Sequence, residues 1–238
     1  MPSLAMTAKI KAKRGYMQQL YFSILAGMCI SIGCIGLAFV RSDSPLAYSL
    51  SGILGGFIFS FGLFTIFALG LELFTGNCIL LSAYMSDKIS LRSLGRILFY
   101  TLLGNIVGCI VIWAMFSFCK FSYTDILRAM ANAKVDLPLS QLFFRGVMCN
   151  IVISFATLMS LKDNELSTKF IAALIPVILF VACGFEHSIA DAFILLFSSQ
   201  DIFDILVCFI AVLAGNIIGG AIIACFHYVS MSKNPYMR

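Results

Sequence analysis

Long apolar runs separated by short polar clusters dominate the chain. Residues 20–40 are uncharged and about one bilayer crossing in length. Residues 46–85 follow, with Glu72 as their single charge. As one helix they would extend about 60 Å, twice the hydrocarbon thickness. The segment therefore crosses twice or is broken, and residues 72–77 are the candidate break. Further runs occupy residues 97–119, 142–161, 170–199 and 205–231. The fifth contains Glu186, His187 and Asp191 just after Gly184, so a second break is expected near 183–188. Ionisable side chains at membrane depth must face protein or a water-filled path. A broken helix at such a point frees backbone groups that a solute can meet.

Composition agrees with this pattern. The chain is 61% hydrophobic and 11% charged, against about 25% charged in soluble domains. One transmembrane domain, residues 1–238, is expected, with no separate soluble domain and no cleaved leader. The basic lead, residues 1–19, either lies along the membrane surface or is a solvated end. The net charge of +5 does not indicate nucleic acid, because the basic residues flank apolar runs. Nine cysteines without a Cys-x-x-Cys pair read as buried free thiols, not as a disulfide framework or metal site. No cofactor is expected.

Charge placement selects the topology. With six crossings and an internal N-terminus, Lys9, Lys11, Lys13, Arg14, Lys88, Arg92, Arg96, Lys162, Lys169, Lys233 and Arg238 are inside. Arg41, Lys120, Arg128 and Lys134 are outside, giving eleven against four. If both interrupted segments cross twice, the division is nine against six. The positive-inside rule favours six spans with both termini cytoplasmic.

The halves also repeat. Gly104-Asn105-Ile106-Val107-Gly108 in the third span matches Gly215-Asn216-Ile217-Ile218-Gly219 in the sixth. Glu72 precedes Asn105 by 33 residues and Glu186 precedes Asn216 by 30. Three spans per half require opposite orientations, an inverted repeat with its site where the breaks meet. Asn77 is the expected cap of a half-helix starting at Cys78. Ser188 is the expected cap of one starting at Ile189, with Asp191 completing a capping box. Glu72 and Glu186 read as acceptors for N–H groups freed by the breaks. Thr75 and His187, beside the half-helix starts, can donate hydrogen bonds to a passing solute.

These motifs resemble the formate/nitrite transporter family. The resemblance rests on Glu72-Leu73-Phe74-Thr75-Gly76-Asn77, Arg145-Gly146-Val147-Met148-Cys149-Asn150, Gly184-Phe185-Glu186-His187-Ser188-Ile189-Ala190 and Gly215-Asn216-Ile217-Ile218-Gly219. It implies an all-α integral membrane protein with an aquaporin-like six-helix protomer, one pore per protomer, and assembly as a homopentamer in the cell's inner membrane. It further implies that Thr75 is a gating-loop threonine and His187 the central pore histidine. Phe59 and Phe180 would form an outer constriction, and Leu63 and Leu73 an inner one. Lys134 would draw anions into the outer vestibule, and Asn150 would belong to the substrate path. Asp191 departs from the family pattern, which usually has asparagine there.

The expected activity is a channel or proton-linked carrier for small monovalent anions of the formate, nitrite or hydrosulfide class. A neutral-solute channel of the same architecture is the alternative, although the breaks contain no Asn-Pro-Ala. A membrane-embedded enzyme is harder to assemble from two histidines and no clustered carboxylates.

Overall fold

The computed structural model describes residues 3–42 and 48–233. Residues 43–47, which include Pro45, and the tail containing Asn234-Pro235 lie outside the described residues. The chain runs through α1 (Leu4–Lys13), α2 (Tyr16–Ser42), α3 (Tyr48–Leu69), α4 (Phe74–Met85), α5 (Leu91–Cys119), α6 (Thr124–Val135), α7 (Leu139–Ser160), α8 (Leu166–Ala182), α9 (Ser188–Phe197) and α10 (Ile202–Lys233). A 3₁₀ turn at Cys78–Leu80 lies within α4, and another at Leu195–Phe197 ends α9.

Five helices, α2, α3, α5, α7 and α10, are each long and apolar enough to cross a membrane. The broken segments divide their length between two pieces, so α8 has 17 residues and falls short by itself. The first interruption occupies residues 70–73, slightly earlier than expected, and the second occupies 183–187.

Two connections differ from the sequence reading. The basic lead is neither a surface helix nor a free end. Leu4 and Ala8, one turn apart on α1, are buried against Ile79, Leu80, Ile97 and Ile223. The connection before α7 contains α6, whose Leu127 and Ala131 are buried at the same spacing. The thiols also divide: Cys34, Cys78, Cys109, Cys149 and Cys208 are buried, whereas Cys119, Cys183 and Cys225 are exposed. An exposed apolar thiol fits a lipid-facing helix surface as well as a core position.

The internal repeat is longer than three spans. Segments α1–α5 and α6–α10 have the same order: a short helix, a long helix, an interrupted pair and a long helix. Each half has a tight seam. A Cβ on Gly27 of α2 would lie 2.1 Å from the Asn105 carbonyl oxygen of α5. A Cβ on Gly215 of α10 would lie 2.2 Å from the Phe143 carbonyl oxygen of α7. Absence of a side chain at these points lets the backbones touch.

Two cavities establish the relative direction of the halves. One, of about 490 Å³, is lined by the end of α2 (Leu37, Arg41), by α6, by Arg145 near the start of α7 and by the end of α8 (Phe180, Val181). The other, of about 220 Å³, is lined by α1, the end of α3 (Ile66, Phe67), the end of α7 (Thr157, Ser160) and Lys169 near the start of α8. Thus α3 and α8 run in opposite senses, and the repeats are inverted.

Candidate functional site

The two breaks are built by the same steps. Gly70 (φ 63°) and Gly184 (φ 68°) end α3 and α8 in the left-handed region, where glycine is unstrained. The next amides turn back, Leu71 to the Ile66 carbonyl at 3.0 Å and Phe185 to the Phe180 carbonyl at 2.9 Å. Then Glu72 N–H donates to the Phe22 carbonyl at 3.4 Å, and Glu186 N–H to the Arg145 carbonyl at 3.3 Å.

Asn105 and Asn216 bridge the exposed peptide groups. Asn105 Oδ1 accepts from Phe74 N–H at 2.9 Å, while its Nδ2 donates to the carbonyls of Ser23 and Glu72 at 2.7 and 2.9 Å. Asn216 Oδ1 accepts from Ser188 N–H at 2.8 Å, while its Nδ2 donates to the carbonyls of Gly146 and Glu186 at 2.8 and 3.0 Å. Each amide thereby satisfies an N–H and a carbonyl of its break that would otherwise be buried unpaired, and ties them to a carbonyl of a neighbouring long helix.

This corrects the expected caps. Asn77 lies inside α4, whose cap position is Leu73. Ser188 lies inside α9, whose cap is His187. No Ser188–Asp191 capping box forms, because Asp191 turns to Lys134. The Gly-Asn repeats were visible as a pattern. Their role was also accessible, since an asparagine in an apolar helix must find partners.

The carboxylates bind cations rather than freed N–H groups. Glu72, with a fully buried side chain, accepts from Lys11 Nζ at 2.9 Å, from Arg14 and from Asn77 Nδ2 at 2.7 Å. Lys11 also donates to Asn77 Oδ1 at 2.6 Å. Asn77 Nδ2 reaches Thr101 Oγ1 at 3.1 Å, which accepts from Gln19 at 2.8 Å. In the other half, Lys134 donates to Glu186 and, at 2.9 Å, to Asp191 Oδ1. Lys134 is therefore on a helix, with a side chain only 16% exposed, and not a solvated loop charge. Burial works against its ammonium, but Asp191 and Glu186 outweigh that and hold its pKa well above the ordinary lysine range. Lys11 and Arg14 escaped the sequence reading because their partner lies some 60 residues away.

His187 and Thr75 meet where α4 and α9 start. His187 Nδ1 accepts from Ala190 N–H at 3.1 Å. That bond assigns the ring proton to Nε2, which lies 2.9 Å from Thr75 Oγ1 and donates to it. Phe180 stacks on the imidazole at 5.9 Å, and Phe59 meets Phe180 edge-on at 5.5 Å. Phe59, Phe180 and His187 line the α6-side cavity, and Leu73 lines the α1-side one. Leu63 and Thr75 line neither and are almost completely buried between them. Asn150 also lines neither: its Nδ2 donates to the Asn216 carbonyl at 2.6 Å, within the α7–α10 seam.

The model of the formate/nitrite transporter family matches residues 2–230. The chain belongs to the formate/nitrite transporter family. It is 30% identical to the formate channel FocA of Haemophilus influenzae over 196 residues, covering 79% of this chain and 69% of that one. It is 34% identical to the nitrite transporter NirC of Escherichia coli over 174 residues, covering 71% of this chain and 64% of that one. The solved pentameric formate channel with formate bound superposes with a TM-score of 0.81 at 25% identity, covering 92% of this chain and 98% of that one. The protein is thus an all-helical member of a family of membrane channels, and the Thr75–His187 junction is its candidate conduction site.

Proposed function

We propose that the protein is a pore for small monovalent anions of the formate, nitrite or hydrosulfide class, which cross at His187 with a proton. The observation that carries this reading is the Thr75–His187 pair, held at two helix starts between two cavities. Both approaches have basic residues: Arg41, Lys134 and Arg145 line one cavity, and Lys11, Arg14 and Lys169 the other. Between them the packed aromatic and leucine side chains exclude a bare ion, because desolvating an unpaired charge is strongly unfavourable. A solute that takes the place of Thr75 receives the Nε2–H bond, while the surrounding apolar packing penalises its charged form and favours passage as the neutral acid.

Residues 1–238 form one transmembrane domain in this proposal. Both termini are cytoplasmic, in the inner membrane of the cell, and α6 lies on the external side. Five copies assemble, as in the pentameric relative, and each has its own pore in this proposal. Exposed Phe57 and Phe61 on α3 and Phe203, Ile210 and Phe226 on α10 supply apolar surface for lipid and neighbouring copies. Uptake into liposomes, compared for formate, nitrite, hydrosulfide and lactate, tests the reading. Expected is saturable flux of at least one small anion, lost in His187→Phe. Equal flux of glycerol, or wild-type flux in His187→Phe, would overturn it.

A further inference from the structure

The inverted halves give Asp191 an internal counterpart. Counting five residues on from each break glutamate, Glu72 leads to Asn77 and Glu186 leads to Asp191. The polar geometry coincides as well. Lys11 Nζ donates to both Glu72 and Asn77, and Lys134 Nζ donates to both Glu186 and Asp191. One difference remains. Asn77 Nδ2 donates to Glu72 Oε2 at 2.7 Å, whereas Asp191 has a second oxygen, Oδ2, which is buried and without a hydrogen-bond partner. Asp191 is only 2% exposed and lines the α6-side cavity together with His187. An ionised carboxylate in that position would put two negative groups against one ammonium and leave an acceptor unpaired. A proton on Oδ2 removes both problems, because a carboxylic acid donates as the amide of Asn77 does.

We infer that Asp191 holds a proton on Oδ2, beside the Glu186 carboxylate that meets the same Lys134 ammonium, so that the conduction path carries a titratable proton site beside His187. This rests on the proposed conduction reading for its consequence, though not for its chemistry. When the proton is held, the group Lys134–Glu186–Asp191 is neutral and sets no charge against an entering anion. When the proton leaves, the cavity gains one negative charge and anions are repelled. Other groups facing Asp191 do not substitute for it. Lys134 comes from α6, Arg41 from α2 and Arg145 from α7, and none of the three is a carboxylic acid. His187 commits Nδ1 to a backbone N–H. The nearby groups on α2, α7 and α10 are the thiols of Cys34, Cys149 and Cys208, and buried thiols are uncharged. From α4, Thr75 faces the same region and does not titrate.

Infrared difference spectroscopy on the full-length protein in an ester-free detergent reads this proton without any transport. Expected at pH 7 is the C=O band of a protonated carboxylic acid, shifted in D₂O and absent in Asp191→Asn. No such band in the wild type, or a band that persists in Asp191→Asn, would overturn the assignment. In liposomes, wild-type formate flux should fall as pH rises, by at least about fivefold once the extra charge develops. Asp191→Asn should lose that part of the decline and keep only the pH dependence of proton-linked passage at His187, and an unchanged decline would overturn the functional consequence. A wild type with the band but no anion flux would instead defeat the conduction reading and leave the proton site standing.

Discussion

The Glu72 and Glu186 sites have the same backbone and unlike charge. In both, a left-handed glycine ends a helix, an asparagine from the last long helix ties down three peptide groups, and a lysine from the short leading helix meets the glutamate. At Glu72 the ionic cluster has two cations and one carboxylate, with neutral Asn77 between them. At Glu186 it has one cation and two carboxylates. The scaffold of a repeat is set by backbone groups that have no alternative partner in an apolar environment. Its charge is set by side chains that can differ between copies. The two cavities beside these sites are therefore electrostatically unlike.

The largest effects should come from removing what the halves share. Asn105→Leu and Asn216→Leu each leave one N–H and one carbonyl of a break buried without partners, at about 1–3 kcal/mol per group. Both should lower the unfolding temperature in detergent by more than any other single change considered, and by similar amounts. If only one is destabilising, the two breaks are not equivalent.

Next are the changes that separate the entrances. Lys11→Ala with Arg14→Ala leaves the Glu72 carboxylate buried with no cation, a loss of about 3–5 kcal/mol in comparable pairs. Either single change leaves one cation in place and should be milder, as thermal unfolding of the three variants would show. Lys134→Ala by itself removes the sole lysine of its cluster. It should reduce flux at all salt concentrations, because the defect is a broken buried cluster and not merely a weakened long-range field.

A smaller effect should come from making the entrances alike. Asn77→Asp adds a carboxylate beside Lys11 and removes the donor to Glu72. Flux measured with anion supplied on the α1 side should then fall at alkaline pH by a few-fold. A pH-independent flux would mean that the charge of this cavity does not govern access.

Much of the fold was legible because it follows from length and polarity. Six apolar runs, two of them carrying carboxylates, identified the broken segments, and the Gly-Asn repeats identified the inversion. Caps were assigned wrongly because Asn77 and Ser188 are local candidates, whereas Asn105 and Asn216 act from about 30 residues away. The partners of Glu72 were missed for the same reason: α1 looks like a solvated basic lead until Leu4 and Ala8 are seen to be buried. At the site, the residue types of Thr75 and His187 were readable, but their 2.9 Å approach depends on two breaks meeting in space.

The most direct measurement is formate uptake into liposomes under an imposed proton gradient, wild type against His187→Asn. Asparagine keeps an N–H donor for the solute but has no titratable nitrogen. Expected is wild-type uptake that rises with inward proton gradient, and His187→Asn uptake that persists but no longer responds to the gradient. An unchanged gradient response in His187→Asn would contradict passage of the anion with a proton at His187.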